Sequence, residues 1–244
     1  MNHLILVRHG QSIWNLEKRF TGWVDVELTD QGKLEANKSG ELIKKLNLKI
    51  NNFFCSYQKR AINTLELILN NINSKPNQIT KAWELNERHY GELTGLNKDQ
   101  MKKVYGEKKI HIFRRSWDMS PAPLNKNNPY HPLNIEIYKN IPRDKIPDTE
   151  SLKDTYERVI YYYLKIIEPL IQNGQNVLIS AHGNTFRALC KKLFNISDKN
   201  IPRLEIPTGN PLLIKFKNNL KIIKKHFLGA LKICKTIFSE ALKK

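Results

Sequence analysis

The sequence has few cysteines and no long hydrophobic run, and both shortages narrow the possible class of protein. Its three cysteines, at positions 55, 190 and 234, are odd in number and widely spaced. This predicts free thiols in a reducing compartment rather than a disulfide framework. No uninterrupted apolar run approaches the about 20 residues that a bilayer-spanning helix needs. No basic and apolar leader precedes the first predicted strand. We therefore expect a cytoplasmic protein without a membrane partner.

Patterns typical of metal sites and of nucleic-acid recognition are also missing. The sequence has no His-Glu-x-x-His, no paired-cysteine spacing and no aspartate cluster, so we expect no metal. The formal net charge of +18 is large, but the lysines are spread along the chain and no aromatic RNA-binding signature accompanies them. We expect no nucleic-acid partner. Such a charge suits a small anionic substrate, which it attracts electrostatically.

Alternating helix and strand patterns predict the fold. A chain of 244 residues with 40% hydrophobic residues can form one large α/β domain. We expect a three-layer fold in which helices cover both faces of a mainly parallel sheet, with a late hairpin at one edge. Strands are predicted at Leu4 to Val7, Phe53 to Ser56, Val177 to Ile179, Leu212 to Phe216 and Lys221 to His226. A single catalytic domain over residues 1–228 would precede a tail at 229–244.

Helices are predicted between these strands, and one long segment lacks any regular pattern. The predicted helices run from Thr29, as N-cap, to about Leu46; over the apolar positions 62 to 72; from Asn97 to Tyr105; from Thr149, with a kink or end at Pro169; and after the second histidine strand. Between about 106 and 150, six of the 11 prolines exclude regular structure. Loops of this length are often lids, and Arg114-Arg115 would lie at the base of this one.

Two of the predicted buried strands end in the same dipeptide. The run Leu4 to Val7 leads to Arg8-His9-Gly10, and Val177 to Ile179 leads to His182-Gly183. The carboxyl ends of parallel strands form the ligand-binding edge of an open α/β sheet. One histidine at a strand end is usually structural, but two in matching context predict a shared site.

Longer stretches resemble the histidine phosphatase superfamily and, within it, the cofactor-dependent phosphoglycerate mutases. They are Leu6-Val7-Arg8-His9-Gly10, Arg19-Phe20-Thr21-Gly22-Trp23, Leu85-Asn86-Glu87-Arg88-His89-Tyr90-Gly91, Arg114-Arg115 and Ala181-His182-Gly183-Asn184. The resemblance runs from residue 4 to about 229. It implies a phosphoglycerate mutase-like fold, a phosphohistidine intermediate, and 2,3-bisphosphoglycerate as the priming phosphoryl donor. We also expect a homodimer or a homotetramer.

The resemblance assigns catalytic roles that fit the chemistry of the side chains. His9 is the expected nucleophile, since a neutral imidazole can attack phosphorus. Arg8, Arg60 and a protonated His182 would surround the phosphoryl group with positive charge. Glu87 would exchange protons with the substrate hydroxyls as general acid and base.

Substrate binding is expected from a wider set of residues. Phosphoglycerate carries a carboxylate beside its phosphate, so a mutase needs a second anion site that a simple phosphatase does not. The candidates for that second site are Arg88, Tyr90, Lys98, Arg114 and Arg115. Asn15, Thr21, Gly22, Gly183 and Asn184 would complete the polar walls of the phosphoryl site.

These residues predict the metal-independent interconversion of 3- and 2-phosphoglycerate in glycolysis and gluconeogenesis. The nearest alternative is a histidine phosphatase that hydrolyses a small phosphate ester by the same first step. A third interpretation is a basic binding protein on an inactive phosphatase scaffold. The presence of all five catalytic candidates argues against it.

The tail at 229–244 departs from the family pattern. Leu231, Cys234, Ile237, Phe238, Ala241 and Leu242 recur at helical spacing with lysines among them. This predicts a basic amphipathic helix packed on the domain or on a neighbouring subunit. Adsorption to an anionic membrane is the alternative, and vesicle sedimentation with and without the tail distinguishes the two.

Overall fold

A six-stranded mixed sheet forms the centre of the molecule in the computed structural model, which describes residues 1–76, 78–217 and 220–229. The strands are β1 (Asn2–Arg8), β2 (Asn52–Cys55), β3 (Thr80–Lys81), β4 (Val177–Ala181), β5 (Leu212–Phe216) and β6 (Ile222–Phe227), in the spatial order β3-β2-β4-β1-β5-β6. The first four strands pair in parallel, whereas β5 is antiparallel to β1 and to β6. The predicted mainly parallel sheet and its closing hairpin are confirmed.

Helices cover both faces of this sheet. They are α1 (Ile13–Leu16), α2 (Asp30–Lys44), α3 (Lys59–Asn71), α4 (Lys98–Tyr105), α5 (Glu107–Arg115), α6 (Leu152–Tyr162), α7 (Glu168–Gln172) and α8 (Gly183–Phe194). Side chains alternate across a strand, so Ile5 and Val7 of β1 pack with α2 and α3. Leu4 and Leu6 pack on the opposite face with α6 and α8. The three-layer prediction is confirmed.

Local capping decides where two of the helices begin. Thr29 caps α2 as predicted, its side chain accepting a hydrogen bond from the amide of Gly32. The helix expected from Thr149 begins instead after Ser151, which forms a capping box with Asp154. The hydroxyl of Thr149 donates to the carbonyl of Pro121, 2.9 Å away. A serine with an acidic residue three positions later is the stronger N-terminal signal.

Pro169 neither ends nor interrupts the long helical stretch that contains it. A π turn over Tyr163–Ile167 joins α6 to α7, and Pro169 lies in the first turn of α7. Proline has no amide hydrogen to donate. A widened turn immediately before it is one way in which a helix continues past such a residue.

The segment predicted to be irregular from 106 to 150 contains a helix at its start. α5 occupies Glu107–Arg115 and buries Ile110 and Phe113, so the boundary predicted at 106 was wrong. The prolines of this segment begin only at 121, and nothing prevents a helix before them. The remainder holds short 3₁₀ turns, and within it the buried Tyr138 donates its hydroxyl to the carbonyl of Trp23 at 2.5 Å.

Membrane-spanning helices and the C-terminal tail are the remaining features predicted from the sequence. No helix within the described ranges is long and apolar enough to cross a membrane. The predicted tail helix lies outside the described residues, apart from Gly229, and so does Cys234.

Candidate active site

The parallel pairing of β1 with β4 brings the two predicted histidines together. Arg8 is in register with Ala181, and the amide of His9 donates to the carbonyl of Ala181 at 3.0 Å. His9 and His182 therefore leave the sheet side by side, and their ring centroids are 5.0 Å apart. The predicted convergence of the two strand ends is confirmed.

The His9 imidazole is held in one tautomer by the backbone. Its Nδ1 is 2.7 Å from the carbonyl oxygen of Gly10, which can only accept, so Nδ1 carries the proton and Nε2 keeps its lone pair. Burial, with the charges of Arg60 and Arg8, holds the pKa of His9 well below its usual range. The ring is thus a neutral base with one free nitrogen, which is the form that can act as a nucleophile.

A close backbone approach fixes the position of this loop. A Cβ on Gly10 would lie only 2.0 Å from the carbonyl oxygen of Gly32, so no larger residue fits. The amide of Gly10 donates to the hydroxyl of Thr64 on α3 at 3.1 Å. The acceptor for His9 is therefore itself anchored.

His182 faces the same cations but has different partners. Its Nε2 is 2.7 Å from the hydroxyl of Ser56, whereas its buried Nδ1 has no partner. Burial, Arg60 and the neighbouring His9 hold the pKa of His182 well below its usual range. The protonated imidazole expected from sequence therefore depends on an anion that offsets these cations.

Arg60 lies in the first turn of α3, where the helix dipole opposes a positive charge. Its guanidinium donates to the carbonyls of Gly22 and Val24, each at 2.9 Å. A third bond reaches the side-chain oxygen of Gln58 at 3.1 Å. These three acceptors offset the unfavourable dipole and fix the arginine at the site.

Glu87 is positioned by two amide groups. The amides of Arg88 and Asn184 donate to its Oε1 at 2.8 and 3.2 Å, while Oε2 is engaged by neither. The side-chain amide of Asn184 in turn donates to the hydroxyl of Tyr90 at 3.0 Å. The site therefore presents a carboxylate with one committed oxygen.

A second group of cations lines the same cavity as His9. Arg114 and Arg115 are in the last turn of α5, and Lys98 begins α4. Arg115 forms a 2.5 Å ion pair with Glu205. Burial, together with Arg114 and Arg8, lowers the pKa of Lys98 to about 8. This end of the site is strongly cationic, with one acidic partner.

Most of the predicted site residues line one cavity, and a few stand behind it. The lining comprises Arg8, His9, Asn15, Thr21, Arg60, Glu87, Tyr90, Lys98, Arg114, Arg115, Gly183, Asn184, Arg187, Glu205 and Ile206. Gly22, Arg88 and His182 are not among these residues. Gly22 holds Arg60 through its carbonyl, while the Arg88 guanidinium lies 4.6 Å from the centre of the Tyr90 ring.

The sequence interpretation missed Arg187, Glu205 and Ile206. Arg187 is buried in α8 and donates to Asn184 Oδ1 at 2.9 Å and to the carbonyl of Arg115 at 3.0 Å. Burial lowers its pKa to about 9. A lone cation between Phe186 and Ala188, in the apolar stretch of this helix, was a signal for it. Glu205 and Ile206 lie in an irregular stretch without such a signal.

Within residues 1–76, 78–217 and 220–229, no group of three or more histidine, cysteine, aspartate or glutamate side chains is placed to hold a metal ion.

Two neutralised histidines among arginines, at the carboxyl ends of parallel strands, define a class of phosphoryl-handling site. Residues 4–129 and 126–228 match the sequence profile of the histidine phosphatase superfamily (branch 1). The chain belongs to that superfamily.

Relatives within the superfamily are more specific. A Pelagibacter ubique protein named 2,3-bisphosphoglycerate-dependent phosphoglycerate mutase is 64% identical over 91% of this chain and 93% of its own length. A Parabacteroides distasonis protein of the same name is 43% identical over 94% and 92%. Among solved structures, Mycobacterial hydrolase 1 superposes with a TM-score of 0.70 over 93% of this chain and 97% of its own, at 18% identity. That last likeness concerns the fold alone.

Proposed function

We propose that this chain interconverts 3-phosphoglycerate and 2-phosphoglycerate, without a metal, through a phosphohistidine at His9. The observation that carries the proposal is the second cationic cluster, Lys98, Arg114 and Arg115, which lines the same cavity as the neutral His9. A phosphatase for simple esters has no need of a second anion site. The names of the two mutases to which the chain is 64% and 43% identical support the same reaction.

Phosphoryl transfer begins at the free nitrogen of His9. Its Nε2 attacks phosphorus, the Nε2–P bond forms, and the bond from phosphorus to the ester oxygen breaks. Glu87 gives the departing oxygen a proton. In the return step Glu87 takes a proton from the free hydroxyl of a monophosphoglycerate, whose oxygen then attacks phosphorus and releases His9. A second attack by Nε2, on the other phosphoryl group of the bisphosphorylated acid so formed, leaves the isomeric monophosphoglycerate and restores the phosphohistidine.

Positive groups stabilise the charge that develops on the phosphoryl oxygens. Arg60 is buried and Arg8 is half-buried, and each can offer fixed N–H donors. The Nε of Arg8 and the Nδ1 of His182 are buried without a partner. Unpartnered buried donors are costly, and a bound phosphoryl group would satisfy that of Arg8, which lines the cavity. The amide of Gly183 and the side chains of Asn15, Thr21 and Asn184 complete this end.

The residues also fit the predicted cofactor, 2,3-bisphosphoglycerate, which has two phosphoryl groups and a carboxylate. Arg8 and Arg60 would hold one phosphoryl group, and Lys98, Arg114 and Arg115 the other anionic end. When bound, this compound supplies the phosphoryl group that primes His9. Tyr90 and Arg88 would shape the wall between the two ends, and Gly22 would act through Arg60.

Several expectations extend this proposal. We place the reaction in the cytoplasm, in glycolysis and gluconeogenesis, within one catalytic domain over 1–228. The buried free thiols Cys55 and Cys190 are consistent with a reducing compartment. A homodimer or homotetramer stays a prediction. So does the lid, now limited to 116–150, where the contact between Tyr138 and Trp23 argues against movement of the whole segment.

The test uses purified protein with 3-phosphoglycerate, a trace of 2,3-bisphosphoglycerate and excess EDTA. 2-Phosphoglycerate and free phosphate are followed together, with His9→Ala as the control. We expect rapid 2-phosphoglycerate formation, little free phosphate and no activity in the control. Free phosphate as the main product would replace the mutase with a phosphatase. Absence of both products would favour a binding protein.

A further inference from the structure

We propose that Arg158 and Glu150, which form a buried ion pair behind the cavity, are positioning residues for Glu87. This inference rests on the proposed function, since it concerns the residue assigned to proton transfer. Arg158 lies on α6 and Glu150 just before it. Their side chains are 9% and 4% exposed. Neither residue is part of the cavity lining.

Every donor of the Arg158 guanidinium is used. Two bonds join it to the Glu150 carboxylate, from Nε to Oε1 at 2.7 Å and from Nη2 to Oε2 at 2.9 Å. Nη1 donates to the carbonyls of Glu84 and Asn86, at 2.7 and 2.9 Å. Nη2 also donates to the carbonyl of Glu87, at 3.0 Å. An arginine has five N–H donors, so none is left over for another role.

Glu150 binds the backbone of the same loop as well as the Arg158 guanidinium. Its Oε2 accepts the amide of His89 at 2.8 Å as well as Nη2 of Arg158. The amide of Glu150 in turn donates to the carbonyl of His89 at 3.1 Å. The ion pair and its backbone therefore contact residues 84, 86, 87 and 89, which flank and include the proposed acid–base residue.

The bond from Arg158 holds the backbone of Glu87, whereas hydrogen bonds on the cavity side hold its carboxylate. Oε1 of Glu87 is bonded by the amides of Arg88 and Asn184. The bonds to Oε1 therefore position the carboxylate directly, and the bonds from Arg158 and Glu150 position the backbone that carries it. Residues 84–89 have little regular structure beyond a 3₁₀ turn over Trp83–Leu85. Without Arg158, the carbonyls of Glu84, Asn86 and Glu87 would each lose a donor, and the bond from the Glu87 amide to Gln58 Oε1 at 3.2 Å would remain.

Lysine cannot replace this arginine. A lysine keeps the charge but offers three donors at a single point, without the planar fork that reaches Glu150 and three carbonyls together. Arg158→Lys therefore tests geometry rather than charge. Glu150→Gln is a second variant that keeps the size of the side chain and spares the three carbonyl bonds. Arg143→Lys, at an exposed arginine, is the matched control.

The decisive experiment is a double-mutant cycle with Glu87→Gln, read as mutase kcat and KM. We expect Arg158→Lys to lower kcat about 10²-fold, with KM near the wild-type value because Arg158 does not touch the cavity. In the Glu87→Gln background the same change should alter kcat by no more than about twofold, since both act through one group. Glu150→Gln should give a smaller loss of the same kind. An equal loss from Arg158→Lys in both backgrounds would overturn the proposal.

Hydrogen exchange supplies a readout that does not depend on the reaction. Amides of residues 84–89 should exchange at least about tenfold faster in Arg158→Lys than in wild type, while those of β1 and β4 keep their rates. Unchanged exchange over 84–89 would contradict the positioning role. If wild-type protein lacks mutase activity, the proposed function fails and the exchange experiment still decides whether Arg158 orders the Glu87 loop.

Discussion

The two ends of the cavity are built from different parts of the fold. At the phosphoryl end, His9 and His182 come directly after strands of the central sheet, and Arg60 lies in the helix that follows a third strand. At the opposite end, Arg114 and Arg115 lie in the last turn of a nine-residue helix outside the sheet. The groups at the sheet ends are positioned by the paired strands that precede them, whereas α5 lies outside the sheet. The division suggests that chemistry depends on the sheet and substrate recognition on the periphery.

Burial follows the same division. His9, His182 and Arg60 are each no more than 3% exposed, whereas Arg115 is 19% exposed at its side chain. Arg115 also has an ion-pair partner in Glu205, while Arg60 is bonded to neutral oxygens only. An anion at the phosphoryl end would therefore meet an Arg60 guanidinium that forms no ion pair with a carboxylate. At the other end it must compete with an existing pair.

Removal of the nucleophile His9 should have the largest effect on activity, because no phosphoryl transfer can then take place at the phosphoryl end. We expect His9→Ala to lower the mutase rate by at least about 10⁴-fold and to abolish phosphate incorporation from labelled 2,3-bisphosphoglycerate. His111→Ala, at an exposed histidine, should keep full activity. Substantial turnover by His9→Ala would show that another group carries the phosphoryl.

Loss of the Arg60 charge should come next. Arg60→Gln removes a preorganised donor for the transition state, so we expect kcat to fall about 10²–10³-fold. Single-turnover phosphorylation of His9 measures this without contribution from product release. Arg203→Gln, at an exposed arginine, is the control. A change in KM alone would mean that Arg60 only binds substrate, and the two ends would not differ as proposed.

A change at the recognition end should act mainly on binding. Hydrogen bonds to charged groups contribute about 1.5–3 kcal/mol, so Arg114→Gln should raise KM for 3-phosphoglycerate about 10- to 100-fold. Phosphorylation of His9 by p-nitrophenyl phosphate, which has no carboxylate, should fall far less. Equal losses with both substrates would remove the distinction between the two ends.

The smallest expected effect is a decline in activity at high pH. Burial lowers the pKa of Lys98 to about 8, so its ammonium is present below that pH and is lost as the pH rises through it. We expect kcat/KM for phosphoglycerate to decline a few-fold above about pH 8. Lys98→Arg keeps its charge and should shift this decline to higher pH. A decline that is identical in the variant would assign it to another group.

The lowered pKa of His9 predicts how activity at the phosphoryl end behaves at low pH. The pKa of His9 is held well below its usual range by burial and by Arg60 and Arg8. The nucleophile therefore stays neutral at pH values where an ordinary histidine is charged. kcat/KM should show no loss on going from pH 7 to about 6, near the usual histidine pKa. A loss centred near pH 6.5 would show that His9 titrates normally.

The phosphoryl end was more predictable from sequence than the recognition end. Short apolar runs that end in His-Gly gave β1 and β4, and parallel pairing then required His9 and His182 to meet. β5 was predicted with the bounds that it has, Leu212–Phe216. The helix Glu107–Arg115 was missed because only Ile110 and Phe113 mark its buried face, and the prolines that follow dominated the interpretation.

Other features could not be predicted because they depend on distant partners. The acceptor for His9 Nδ1 is its neighbour's carbonyl, yet only the fold turns that carbonyl toward the ring. The donors of Arg158 reach residues more than 70 positions away. Nothing local distinguishes such an arginine from one on the surface of an amphipathic helix. Hydrogen bonds between residues so far apart in the sequence can be identified only once the strands and helices are packed together.

The most direct test of the account is the chemical identity of the phosphorylated atom. Enzyme is mixed with ³²P-labelled 2,3-bisphosphoglycerate, quenched within milliseconds, and digested to locate the label, while ³¹P NMR identifies the bonded nitrogen. We predict a phosphoryl group on Nε2 of His9, because Nδ1 donates to the carbonyl of Gly10. Label on His182, on Nδ1 of His9, or on no histidine at all would contradict the account.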